Sequence, residues 1–188
     1  MNRTKRKIFE TSMDLFAKKG YDATSIEEIT SIVGIAKGTL YYHFSSKEEI
    51  LAFLISEGMK LLQHSIEIKS RLANTFEDKI RAIILVEIKV VDKYDNLISL
   101  VMNEFCGNAK RNENCRKCIY ECVDVIEKVL IDGIENGDLK ECDTRTIAFE
   151  IFGVICSGVM LRYKNDKKIN ISDTAKKFSD IILSGMKK

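Results

Sequence analysis

Residues 24–44 read Thr-Ser-Ile-Glu-Glu-Ile-Thr-Ser-Ile-Val-Gly-Ile-Ala-Lys-Gly-Thr-Leu-Tyr-Tyr-His-Phe. Thr24 followed three residues later by Glu27 predicts a capping box, in which each side chain satisfies a backbone N–H at a helix start. Ile26, Ile29 and Val33 recur at three- and four-residue spacing and form one apolar stripe. Gly34 follows the last of them, where a left-handed backbone ends a helix at little steric cost. A second short helix is expected over residues 36–44, with Leu40 and Phe44 facing inward. Its outer face carries Lys37, Thr39, Tyr41, Tyr42 and His43.

Two short helices joined by a glycine turn, the second bearing polar, aromatic and cationic side chains, are the layout of a DNA-reading helix-turn-helix. Such side chains reach phosphates and base edges in a major groove. Ser45 and Ser46, just ahead of Glu48 and Glu49, offer a cap for the next helix. Lys47 falls in its first turn, where a cation and exposed N–H groups suit a phosphate. Upstream, Ile8, Phe9, Met13, Leu15 and Phe16 predict an amphipathic helix that Gly20 ends, completing a three-helix domain. Arg3, Lys5, Arg6 and Lys7 precede it with no acid among residues 1–7. That run reads either as a solvated tail or as an arm for phosphate or minor groove.

Residues 4–51 resemble the DNA-binding domain of the tetracycline-repressor (TetR) family of bacterial transcription regulators. The matching residues are Ile8, Leu15, Phe16, Gly20, Tyr21, Thr24, Ser25, Ile29, Gly34, Lys37 to Tyr41, His43, Phe44, Lys47, Glu48 and Ile50. The run Lys37-Gly-Thr-Leu-Tyr-Tyr-His-Phe with Ser-Lys-Glu-Glu after it is far more specific than a general helix-turn-helix pattern. Two positions depart from the family. Ala36 stands where serine or threonine is common, removing a cap worth roughly 1 kcal/mol, and Ile32 replaces a usual alanine. The resemblance implies an all-α protein of about nine helices. Residues 1–50 would form the helix-turn-helix domain and residues 51–188 a helical ligand-binding and dimerisation domain. It further implies a homodimer on double-stranded operator DNA, most readily a repressor released by a small-molecule effector, with no cofactor and no catalytic residues. The DNA-binding set carried over is Thr24, Ser25, Lys37, Gly38, Thr39, Tyr41, Tyr42, His43 and Lys47.

The whole chain agrees with that frame. Its 188 residues suffice for a small domain and a larger one with its own core. A net charge of only +2 means that DNA contact must come from a local basic patch. No apolar run is expected to span a membrane, and the polar interruptions in residues 8–16 argue against a secretory signal, so a cytoplasmic location is expected. An enzyme or a small-molecule carrier is the competing class, but no nucleophile–base arrangement or phosphate-binding glycine loop is present. There is no proline, and helices are expected over residues 47–71, 76–94, 97–106, 115–135, 144–163 and from about 172. Polar runs at 107–114, 136–138 and 164–170 separate the later ones.

Three further features bear on ligand and partner. Residues 144–163 hold Gly153, Ser157 and Gly158 among apolar residues, and the last helix adds Ala175, Phe178, Ile181 and Ile182. Small residues admit a closely packed neighbour, either within the chain or across a two-fold axis. Glu87 lies on the stripe of Ile80, Ile84, Ile88 and Val91, and Glu104 on that of Leu97, Val101 and Phe105. A carboxylate on an apolar face is costly unless paired. Each acid is either ion-paired with a nearby lysine or arginine, or sits where the stripe reaches solvent, or lines a pocket that selects a cationic or hydrogen-bond-donating ligand. Cys115, Cys118 and Cys122 share one face of the helix expected over 115–135, just after Cys106. Their spacing allows a soft-metal or thiol sensor, but they also continue the stripe of Ile126 and Val129, where free cysteine packs as a small hydrophobe.

Overall fold

The computed structural model describes residues 3–106, 113–165 and 170–186, and these residues contain helices and no strands. In chain order the helices are α1 Arg3–Lys19, α2 Ile26–Val33, α3 Lys37–His43, α4 Lys47–Arg71 and α5 Phe76–Lys93. There follow α6 Asp95–Cys106, α7 Glu113–Glu135, α8 Thr144–Phe152, α9 Val154–Asn165 and α10 Ile171–Met186. The helix expected over 144–163 is present with a one-residue break at Gly153, which makes ten segments of about nine expected helices. The polar runs expected over 107–114 and 164–170 lie largely outside the described residues.

The chain divides into two compact units, Met1–Gly58 with Asn96–Arg116, and Met59–Asp95 with Lys117–Lys188. This differs from a simple boundary after residue 50. The start of α4 and all but the first residue of α6 join the three N-terminal helices, and Gly58 explains how α6 fits there. A Cβ at Gly58 would stand 2.6 Å from Leu97 Cδ2, so the two helices approach where only glycine leaves room.

In the first unit, Ile8, Phe16, Ile29, Leu40, Phe44, Ile50 and Leu54 are buried. Phe44 and Phe53 pack with ring centroids 5.3 Å apart. The N-terminal basic run is not an extended arm from Arg3 onward, because it forms the first turns of α1. Lys5 stands 4.3 Å over the Phe53 ring, and Arg6 pairs with Glu10 at 2.8 Å.

In the second unit, Ile80, Ile83, Ile84, Ile88 and Val91 of α5 are buried, together with Val123, Ile126 and Leu130 of α7 and Ile151 and Val154 of α8 and α9. Gly158 lets α9 close on α5, since a Cβ there would stand 3.3 Å from both Ile88 Cδ1 and Val91 Cγ2. That glycine therefore serves packing within the chain. Thr144–Arg162 is long and apolar enough to cross a membrane by length and composition, with mean hydropathy 1.5. This corrects the expectation of no such run. Part of its apolar surface packs on α5, while Phe149, Met160 and Leu161 remain exposed, as does Ile181 on α10.

Candidate nucleic-acid interface and buried acids

The helix pair forms as its sequence dictates, but with its start one residue later than expected. Ser25, not Thr24, is the N-cap of α2, and its hydroxyl accepts the Glu28 N–H at 3.1 Å. Thr24 is 1 % exposed, and its hydroxyl donates to the Gly20 carbonyl at 2.9 Å. Gly34 closes α2 at φ 74°, with its N–H on the Thr30 carbonyl. α3 then begins at Lys37 with no side-chain cap from Ala36. Ser46 caps α4 by accepting the Glu49 N–H at 3.1 Å, while Glu49 accepts from the Ser45 N–H and hydroxyl at 2.6 Å each.

Leu40 and Phe44 turn inward and leave an exposed face of Lys37, Gly38, Thr39, Tyr41 and Tyr42. Tyr42 is 85 % exposed and meets the His43 ring edge-on at 5.1 Å. Lys37 pairs with Glu27 of α2. The hydrogen bond from that ammonium holds the Glu27 carboxyl below its ordinary range, and the same contact raises Lys37. Both groups are exposed, so a phosphate can replace the glutamate as partner.

Two residues of the expected DNA-binding set are placed otherwise. Thr24 is buried and ties the turn before α2. The Lys47 ammonium donates to the carbonyls of Tyr21 and Thr24 at 2.8 Å each, and stands 4.3 Å over the Tyr21 ring. A cation with two carbonyls and an aromatic face already around it acts as a strut between α4 and that turn. In the free chain, then, the Thr24 hydroxyl and the Lys47 ammonium both face backbone carbonyls.

The two candidate acids lie in different units. Glu104 of α6 is buried in the first unit and has an interaction partner. Glu87 of α5 is fully buried in the second, and neither carboxyl oxygen has a hydrogen-bond partner among the described residues. The ion pair expected for a buried acid is thus missing there. Burial alone pushes the Glu87 carboxyl well above its ordinary value of 4.5, so it is held neutral. Cys122 is close enough for its thiol to be influenced by Glu87, and Gln63 of α4 hydrogen-bonds the same thiol. Three helices thus bring a carboxyl, a thiol and an amide together in an apolar interior.

The cysteine face is divided in the same way. Cys115 lies 3.6 Å from the Val101 carbonyl in the first unit, and Cys122 lies 3.6 Å from the Met59 carbonyl in the second. Burial pushes the thiols of Cys118 and Cys122 upward, away from the thiolate that metal binding or fast oxidation requires. Among the described residues no group of three or more His, Cys, Asp or Glu side chains is arranged to hold a metal ion. The sensor reading of these cysteines is not favoured.

Residues 8–53 match the family model described as bacterial regulatory proteins, tetR family. The fatty acid metabolism regulator protein of Bacillus subtilis is 24 % identical over 181 residues, covering 95 % of this chain and 93 % of that one. A solved putative fatty acid metabolism regulator of Clostridium perfringens is 29 % identical, with a TM-score of 0.88 over 97 % of this chain and 99 % of its own. FadR of Bacillus subtilis, solved in complex with stearoyl-CoA, shares the fold at a TM-score of 0.87 and 24 % identity, over 97 % and 99 % of the two chains. The match of the helix-turn-helix and the likeness along nearly the whole chain lead to one conclusion: residues 8–53 carry a DNA-binding domain of the tetR type, and the chain is similar along nearly its whole length to bacterial transcription regulators.

Proposed function

We propose that this protein is a cytoplasmic, homodimeric repressor of operator DNA, released by a long-chain fatty-acyl effector. On the DNA side, α3 enters a major groove in each half-site. Lys37, Gly38, Thr39, Tyr41, Tyr42 and His43 face the duplex, and Ser25 stands at the N-terminus of α2 beside a phosphate. Thr24 and Lys47 position that surface from behind. The exposed apolar side chains of α8 to α10 supply the face for a second copy, and a two-fold dimer suits a palindromic operator.

The observation that carries the effector reading is Glu87, a neutral, unpartnered carboxyl in an otherwise apolar interior. A neutral carboxyl donates a hydrogen bond, which suits the carbonyl of an acyl ester or thioester, while the surrounding isoleucines and valines suit its chain. The relatives named for fatty acid metabolism, and the stearoyl-CoA held by one of similar fold, support the same class of ligand. Effector binding favours a conformer in which the two reading heads no longer match the half-site spacing.

Operator release by palmitoyl-CoA tests this in wild type, Glu87→Gln and Glu87→Leu. Glutamine still donates a hydrogen bond, so release should persist in that variant, while leucine should raise the concentration needed by about tenfold, the worth of one hydrogen bond. Release by a quaternary ammonium compound instead, lost in Glu87→Gln, would mean that the carboxylate selects a cation.

A further inference from the structure

We propose that the groove between α4 and α5 on the outside of the second unit is a binding site for the anionic head of an amphiphilic small molecule, held by Lys69, Lys89 and Lys93. This deepens the acyl-effector reading and rests on it, since α5 also carries Glu87. The groove encloses about 270 Å³. Its floor is apolar, made by Ile68 of α4 and Val86 and Val90 of α5, and Tyr94 closes one end.

The charge around it is one-sided. None of the eight lining residues is acidic, and three are lysines. Lys89 and Lys93 are four residues apart on one helix face, so their ammonium groups repel each other. Neither Lys69 nor Lys89 has an ion-pair partner among the described residues, and Lys93 meets only the Tyr94 ring, at 5.0 Å. The nearby acid Asp92 points elsewhere, 3.6 Å from Arg162. An anion above this floor would relieve the repulsion among the three cations.

Size decides the class of occupant. About 270 Å³ lies at the small end of ligand sites and is too little for a docked helix. An apolar floor beneath a cationic rim calls for an alkyl or acyl segment that ends in phosphate or carboxylate. The exposure of Ile68 on α4 and of Leu72 just past its end extends the apolar surface such a chain could follow. The occupant is a monomeric amphiphile taken from solution, not a bilayer.

Calorimetric titration with dodecyl phosphate below its micelle concentration tests the site. It is run on wild type, on the triple variant Lys69→Gln/Lys89→Gln/Lys93→Gln and on Val90→Asp. Wild type should bind, and the triple variant should weaken binding by about tenfold, as expected for several partly screened charge pairs. Val90→Asp should weaken it as well, by placing a carboxylate in the floor. Dodecyltrimethylammonium should fail to compete, and operator affinity without ligand should be unchanged in the triple variant. Equal affinity in wild type and triple variant, effective competition by the cationic amphiphile, or capture only by phosphatidylglycerol vesicles would overturn the site. Palmitoyl-CoA release of operator is scored in parallel. Release with no lysine dependence of dodecyl phosphate binding refutes the groove alone, and lysine-dependent binding without release refutes the acyl-effector reading alone.

Discussion

Replacing Glu87 should change how stability depends on pH. In the unfolded chain this carboxyl ionises near the ordinary value of 4.5, whereas burial without a partner keeps it protonated to a much higher pH in the fold. Over the interval between those two values the folded state binds one proton more than the unfolded state. Stability must then fall as pH rises, by about 1.4 kcal/mol per unit, beginning near the unfolded value and ending when the buried carboxyl ionises. Glutamine has no proton to lose. The advantage of Glu87→Gln over wild type should therefore grow as pH rises above the unfolded value, by at most about 1.4 kcal/mol per unit, until the buried carboxyl ionises. Glu87→Leu should share that trend and add about 1–3 kcal/mol, because it also removes an unsatisfied polar group. Urea unfolding followed by circular dichroism, at one fixed protomer concentration, reads both effects. Taking the difference from wild type removes the contributions of the other titrating groups. Parallel pH profiles for wild type and Glu87→Gln would refute the assignment of a neutral, unpartnered carboxyl.

Gly133→Ala should lower stability by about 1–2 kcal/mol despite the gain in helix propensity, because its Cβ would lie 2.5 Å from Phe76 Cε2 and 2.6 Å from Phe76 Cδ2 in a buried contact. A rise in melting temperature would contradict that packing. Lys47→Ala should lower the melting temperature and operator affinity together, since its ammonium holds two carbonyls, whereas Tyr42→Ala should lower affinity alone. A stable Lys47→Ala protein with weakened DNA binding would return Lys47 to the duplex. Ala36→Ser should add about 0.5–1 kcal/mol by capping α3. A loss of stability in chemical unfolding would mean that this helix start has no room for the hydroxyl.

The parts of the fold written in local sequence were the legible ones. Gly34, the inward pair Leu40 and Phe44, and the serine cap of α4 are decided within a few residues, and each stands where its spacing puts it. The cap of α2 moved by one residue because Thr24 and Ser25 are both good caps, each with a glutamate three residues on. The choice between them depends on the Gly20 carbonyl that binds the Thr24 hydroxyl. The contacts of Lys47 are hidden from local sequence for a related reason. Its carbonyl partners lie 23 and 26 residues upstream and meet it only in the folded chain. The stripe placed Glu87 on the buried face of α5, but no periodicity reports whether a counter-charge will reach it. Gly158 reads as a small residue for any neighbour, and only the packing of α9 on α5 identifies which one. The groove lysines gave no signal, because charges on the outer face of a helix look like solvated surface until an apolar floor is found beneath them.

On the proposed function, α3 reads DNA as part of an effector-controlled dimer. Its most direct test is to recover duplexes from a random pool with the purified protein, then follow the selected duplex by fluorescence anisotropy as palmitoyl-CoA is added. The expected result is an inverted repeat whose half-sites are centred about one helical turn, or a multiple of it, apart, with salt-sensitive binding and release by palmitoyl-CoA. Recovery of duplexes without sequence preference, or a selected complex indifferent to palmitoyl-CoA, would contradict it.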